Sequence, residues 1–251
     1  EIEKITPGAR VLIIGEHVNS AGRTVSDSAT DRNLKLAQVQ QNEYDAVICT
    51  DSAFTLIPLR SETVDKYENE EFHEQKAVAL EAAGGRKSSE AREKHRARIQ
   101  AGYEAARAAV KFKHTKDLIH WEDLDVDCVI ADEAHAYKNL YAVDRAYGKG
   151  KPKFLGGSGT SKTADDFKLK SKVLHARGGR LTMLTATPTK NSPLEIYNML
   201  TYIATDEWEK RGIRNAEEFV ARYCEVEPRR YLDDEGKIEE GPCIVGFKGL
   251  T

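Results

Sequence analysis

Four short apolar runs stand out from an otherwise polar chain: VLIIG (Val11 to Gly15), DAVICT (Asp45 to Thr50), DCVIAD (Asp127 to Asp132) and LTMLTAT (Leu181 to Thr187). Each has the length and β-branched content of a strand, and the apolarity is continuous rather than alternating. That pattern predicts strands covered on both faces, hence a mostly parallel sheet in an α/β fold. Helical patterns fill the spaces between them. SATDRNLKLAQVQQNEYD leads into the second run. NSPLEIYNMLTYI follows the fourth, with Ser192 as N-cap, Pro193 at the first helical position and Glu195 completing a capping box.

Two stretches depart from this alternation. Residues 62–116 are rich in Glu, Lys, Arg and Ala and are broken by GGRKSS, which predicts a charged helical hairpin inserted between the second and third strands. Its thin apolar face fits a solvated hairpin with no site of its own. Residues 229–248, turning at DDEG, predict a small C-terminal β-hairpin.

Composition narrows the class only a little. With 251 residues and 40% apolar content the chain can bury a sizeable core, and its formal charge of −3 argues neither for nor against nucleic acid. The four cysteines form no C-x-x-C pair, and Cys49 and Cys128 lie inside apolar runs, where a thiol acts as a small hydrophobe. Those features imply a reducing, cytoplasmic setting without zinc. No run approaches the roughly 18 apolar residues of a membrane span, and EIEKITPGAR has no signal-peptide pattern.

The strongest chemical signal is DCVIADEAHAYKN. An apolar strand ends in Asp132 and Glu133, so both carboxylates emerge at the carboxyl edge of the sheet, where open α/β folds bind ligands. An aspartate there suits Mg²⁺, usually through water, and the neighbouring glutamate can polarise the water that attacks a γ-phosphate. A bare Asp-Glu pair would more simply cap a helix. The full DEAH string arises by chance in roughly one chain in several hundred of this length. The second signal, RLTMLTATPTKNSPLEIYNMLTYI, sets the Thr185 and Thr187 hydroxyls beside the same edge, able to bond the acidic pair or nucleic acid.

Together VIADEAH and LTATPTKNSPLEIYNML resemble motifs II and III of superfamily 2 helicases and translocases, and most of all the chromatin-remodeller branch, in which Ala186 would usually be glycine. NEYDAVICTDSAFTLIPL, WEDLDVDCVIADEAHAYKNL and the Gly-Ser-rich loop also resemble the helicase part of DarB-like phage and plasmid proteins that join an adenine-specific DNA methyltransferase to a helicase. The resemblance implies a RecA-like (P-loop NTPase) lobe that uses ATP and Mg²⁺. By it, Asp132 would coordinate Mg²⁺, Glu133 would be the catalytic base, His135 would link the nucleotide site to motif III, and Thr185, Ala186 and Thr187 would couple hydrolysis to movement on DNA, expected as duplex. A second RecA-like lobe and a methyltransferase are the implied partners in the same parent chain.

The phosphate-binding loop of that family lies upstream of the VLIIG strand. The expectation is therefore a partial first lobe over 1–251, lacking the phosphate-loop strand and inactive in ATP hydrolysis by itself. Its four strands would form one contiguous sheet with the motif III edge unpaired, an association hazard.

GGSGTSKT (Gly156 to Thr163) comes close to a phosphate-binding loop, but Ser161 stands where glycine is required, and GKGKPKF rather than a strand precedes it. A kinase or GTPase reading built on that loop is therefore disfavoured; Ser161 or Thr163 is better suited to cap the helix ADDFKLKSKVLHA. From 136 to 180 there are eleven Lys or Arg against three Asp. That excess predicts a phosphate-contacting surface carrying Lys138, Lys149, Lys151, Lys153 and Lys162, joined by Lys190 and Asn191 of the TPTKN turn. The alternative reading is a non-catalytic nucleic-acid-binding module that keeps a motor fold.

Overall fold

The computed structural model describes residues 4, 6–41, 43–70, 119–140, 161–190, 192–214, 216–232 and 238–249. The charged stretch lies outside them beyond residue 70, as do Lys149, Lys151, Lys153, Asn191 and the glycines of GGSGTSKT. The described residues divide into two compact units, one of 6–70 and 119–127, the other of 128–249.

The first unit is built on a parallel pair, β1 (Val11–Ile14) and β4 (Ala46–Cys49), with Val11 opposite Ala46 and Ile14 opposite Cys49. Helix α1 (Ala29–Gln40) makes the crossover and starts at a reciprocal cap, in which Ser28 Oγ accepts the Asp31 N–H and the Asp31 carboxylate accepts the Ser28 N–H. Between β1 and α1 lies a hairpin absent from the sequence reading, β2 (Glu16–Val18) against β3 (Thr24–Ser26). Its turn is held by Asn19 Oδ1, which accepts the N–H groups of Ala21 and Arg23 at 3.0 Å each.

Asp27 fastens this hairpin to the end of β1. Its side chain is shut off from solvent and accepts the Gly15 N–H at 2.7 Å, Lys35 Nζ at 2.7 and 2.8 Å, and His17 Nδ1 at 2.9 Å. Gly15 has φ of 109°, and a Cβ there would stand 2.2 Å from Thr50 Oγ1, so only glycine lets β1 turn beside the Thr50 cap of α2 (Asp51–Thr55). Further along, the Trp121 N–H donates to Pro58 O at 2.8 Å and the Arg60 N–H to Glu122 Oε1 at 3.0 Å. These bonds join residues 58–60 to residues 121–122 within this unit.

The second unit carries the parallel pair β5 (Cys128–Ala131) and β6 (Arg180–Met183), with Ala131 opposite Met183. Helix α3 (Lys162–Ala176) precedes β6 and ends at Gly178, φ 80°, where the Gly179 N–H returns to Leu174 O. Helices α4 (Leu194–Ile203), α5 (Thr205–Lys210) and α6 (Ala216–Tyr223) then lead into an antiparallel ribbon, β7 (Cys224–Leu232) with β8 (Ile238–Phe247), which begins five residues before the 229–248 hairpin of the sequence reading. Leu194 and Tyr197 pack with Ile213, Phe219, Val220, Cys224 and Ile244 into the core of this part.

The chain is mixed α/β, with short parallel pairs flanked by helices, and three sequence expectations change. The four central strands pair two by two, β1 with β4 and β5 with β6, instead of forming one four-stranded ladder among the described residues. Nor are they covered on both faces: Ile13 is 46% exposed and Ile130 65%. A two-stranded pair has too little width for helices to cover both sides, and side chains that alternate across it leave one set outside. Cys128 is exposed, whereas Cys224 and Cys243 are the buried thiols, with burial pushing Cys224 up to about 11. None of the four cysteines is in a disulfide. No helix among the described residues is long and apolar enough to cross a membrane.

Candidate functional site

The acidic pair lies on the turn that leaves β5. Asp132 Oδ1 accepts the Glu133 N–H at 2.9 Å, and Glu133 takes a left-handed conformation, φ 48° and ψ 42°. Among the described residues it is the one non-glycine with positive φ. Left-handed backbone costs a non-glycine residue about 1–2 kcal/mol, and such strain gathers at functional sites. A short 3-10 turn, Ala134–Tyr137, follows, with Ala134 and Tyr137 buried.

Backbone hydrogen bonds carry this turn onto the strand beside it. Past the last paired residues, the Leu184 N–H donates to Ala131 O at 2.8 Å and the Ala134 N–H to Leu184 O at 2.9 Å. The DEAH turn is thereby fixed to the residue preceding Thr185. Thr185 Oγ1 then accepts the Thr187 N–H at 3.1 Å, which shapes the TATP turn, while Ala186 and Thr187 are exposed. Strand β6 stops at Met183 rather than reaching Thr187, because the chain beyond it bonds to the acidic turn and to itself.

The close polar neighbour of the His135 ring nitrogen is Glu133. His135 Nδ1 lies 3.1 Å from Glu133 Oε2 without the alignment of a hydrogen bond, and this nitrogen is buried with no hydrogen-bond partner. Among the described residues, the hydrogen bonds that join the acidic turn to the strand leading into the threonine turn are the backbone bonds of Ala134 and Leu184.

Asp132 and Glu133 are exposed hard-oxygen donors, and among the described residues no three acidic, His or Cys side chains converge on a cage. Mg²⁺ keeps much of its water and needs only one or two carboxylates plus substrate phosphates, so Asp132 fits it. The orphaned His135 nitrogen beside the carboxylate of Glu133 marks the same face as polar and unsatisfied.

A second set of residues braces the turn from below. Lys138 Nζ pairs with Glu195 Oε1 at 3.0 Å with both side chains largely covered, and Glu195 Oε2 accepts the Lys190 N–H at 2.6 Å. Asn198 Nδ2 donates to Lys138 O at 2.7 Å. The Tyr202 hydroxyl lies 2.9 Å from Tyr137 O and 3.1 Å from Ala164 O and donates to one at a time. Phe167 stacks on Tyr137 with ring centres 4.0 Å apart and meets Tyr202 edge-on.

Ser192 Oγ accepts the Leu194 N–H, while the helix is capped at Pro193, one residue later than the sequence reading places it and without a capping box. The Glu195 carboxylate extends beyond that cap, to Lys190 and Lys138. Asn198 and Tyr202 were missed from the sequence, although the spacing 195, 198, 202 marks one helix face.

The basic surface is smaller than its count. Lys138 is committed to Glu195, Lys168 is buried, and Lys170 is 1% exposed and paired with Asp166 at 2.6 Å. Burial pushes the Asp166 carboxyl up, against the pull of Lys170. Lys162 and Lys190 are exposed. Ser161 stands at the cap position of α3, but its side chain makes no capping bond.

The family model described as "Probable helicase domain" matches residues 7–228. "Defense against restriction protein B" of Escherichia phage P1 is 30% identical over 229 residues, 90% of this chain, which spans a tenth of that protein's length. No solved structure matches.

Proposed function

Because this chain belongs to the probable helicase domain family, we propose that it forms part of the first motor lobe, RecA-like in fold, of an ATP-dependent DNA helicase or translocase in the chromatin-remodeller-like branch of superfamily 2. The observation that carries this reading is the backbone bond from Ala134 to Leu184, which joins a strained acidic turn to a threonine turn at the carboxyl ends of two parallel strands. That is where a motor needs nucleotide chemistry and the response to it to meet.

In this reading Asp132 holds Mg²⁺, which when bound offsets the charge of the β- and γ-phosphates. Glu133 orients the attacking water and accepts its proton. Its backbone is held in the left-handed region, and His135 Nδ1 lies 3.1 Å from its carboxylate. Thr185, Ala186 and Thr187 form the turn that passes the nucleotide state to bound DNA, which we assign as duplex. A second RecA-like lobe and an adenine methyltransferase in the parent chain are part of the same proposal, as is a cytoplasmic location.

The test is ATP turnover by the parent protein with and without duplex DNA. Wild type should hydrolyse ATP faster with DNA, and Glu133→Gln should lose at least about 100-fold in kcat while still binding ATP and DNA. Glu133→Gln turning over like wild type would sink the assignment. DNA binding without any hydrolysis by wild type would favour a non-catalytic binding module instead.

A further inference from the structure

We infer that Glu195 is a positioning residue that clamps the DEAH turn and the TATPTK turn together so that they move as one. The clamp's role in coupling nucleotide to DNA rests on the motor reading; its mechanical part rests on geometry alone.

One carboxylate holds both turns. Oε1 takes Lys138 Nζ at 3.0 Å, five residues past Glu133, and Oε2 takes the Lys190 N–H at 2.6 Å, three residues past Thr187. A glutamate serving only a capping box returns to its own N-cap. This one spans two loops that are more than 50 residues apart in sequence. The Glu195 side chain is 7% exposed and that of Lys138 14%, so both bonds act in a weakly screened setting where charge-assisted contacts are strong. Asn198, one turn along the same helix, holds the Lys138 carbonyl at 2.7 Å. The helix therefore grips the acidic turn by side chain and backbone together.

The two turns also share the bonds Leu184 N–H to Ala131 O and Ala134 N–H to Leu184 O. With the ladder on one side and Glu195 on the other, neither turn can shift without stretching a short bond to the other. Simple stabilisation by a partly buried ion pair would act on the whole unit. A clamp acts on the two turns.

The experiment combines amide hydrogen exchange with turnover, using wild type, Glu195→Gln, Lys138→Met and the charge-keeping Lys138→Arg in the parent protein. Glu195→Gln and Lys138→Met should raise exchange at the Ala134 and Leu184 amides by about tenfold. Amides of β1, β4 and the β7–β8 ribbon should stay as in wild type, and Lys138→Arg should restore protection. In DNA-stimulated turnover Glu195→Gln should lower kcat by about tenfold with less than a twofold change in KM for ATP.

Unchanged exchange at Ala134 and Leu184, or a rise spread evenly through the second unit, would overturn the clamp. A wild type that hydrolyses no ATP would instead overturn the motor reading, and the exchange measurement would still decide the clamp.

Discussion

A carboxylate shut away from water must be compensated by its neighbours, and Asp27 is compensated by three. Burial alone would raise its pKa, but the bonds from Lys35, His17 and the Gly15 N–H outweigh it and hold the group down at about 2, against an ordinary 3.8. A group with a lowered folded-state pKa adds stability that is complete above its unfolded value and is lost as pH falls through the folded one. Asp27→Asn should therefore cost about 1–3 kcal/mol in denaturant unfolding at pH 7, since it leaves Lys35 underpaired. The gap between the two proteins should close as pH falls from 4 towards 2; a gap that stays constant over that window would contradict the assignment. Glu133 presents the opposite economy, a strained backbone kept for its side chain. Glycine accepts positive φ without cost, so Glu133→Gly should leave thermal stability unchanged or raise it by up to about 1 kcal/mol, where glycine elsewhere usually costs that much. It should also abolish ATP turnover. A clear loss of stability would mean that the Glu133 side chain, not its backbone, holds the turn.

Elements α3 and α4 meet at Tyr137, Phe167 and Tyr202, and the Tyr202 hydroxyl is the polar part of that contact. Tyr202→Phe should cost about 1–2 kcal/mol in chemical denaturation, because two buried carbonyls then compete without that donor. A cost near zero would show that the rings alone secure the packing. The sequence made some elements legible and hid others for physical reasons. The four central strands were readable because β-branched runs of four or five residues have few other uses. The β2–β3 hairpin was not, since EHV and TVS bear no apolar alternation, and only Asn19 and Gly22 mark the turn. The acidic pair and the threonines were readable as residues at strand ends. The bracing by Glu195 was not, because its partner Lys138 lies 57 positions away, and helix periodicity gives a face but not what covers it. Lys170, one of the eleven basic residues counted from 136 to 180, is inside for a related reason: charge predicts a surface, yet Asp166 at i−4 provides a partner within the helix and lets the pair go inside.

Whole-molecule charge sets what DNA binding this chain can support. At a net −3 and pI near 6.2, long-range attraction to a polyanion is unfavourable, so affinity must come from a local patch. Of the eleven basic residues between 136 and 180, Lys138 and Lys170 are paired with carboxylates and Lys168 is buried, which leaves at most eight for phosphate contact. Each neutralised phosphate contributes about 0.9 to the slope of log K against log salt on B-DNA. With Lys190 added to those eight, binding to duplex DNA should therefore weaken with salt along a slope between zero and about −8. Lys162, exposed at the start of α3, is the residue to vary, since it has space to reach a phosphate and no part in the core. Lys162→Gln should make the slope shallower by about one and weaken binding equally on unrelated sequences, as a backbone contact must. Lys190 adjoins the Thr185–Thr187 turn, and its side chain is exposed while its N–H is held by Glu195, so Lys190→Gln should do the same without loosening the turn. A wild-type slope of zero would remove the phosphate surface from the account. A slope unchanged in both variants would move it to basic residues outside these two positions.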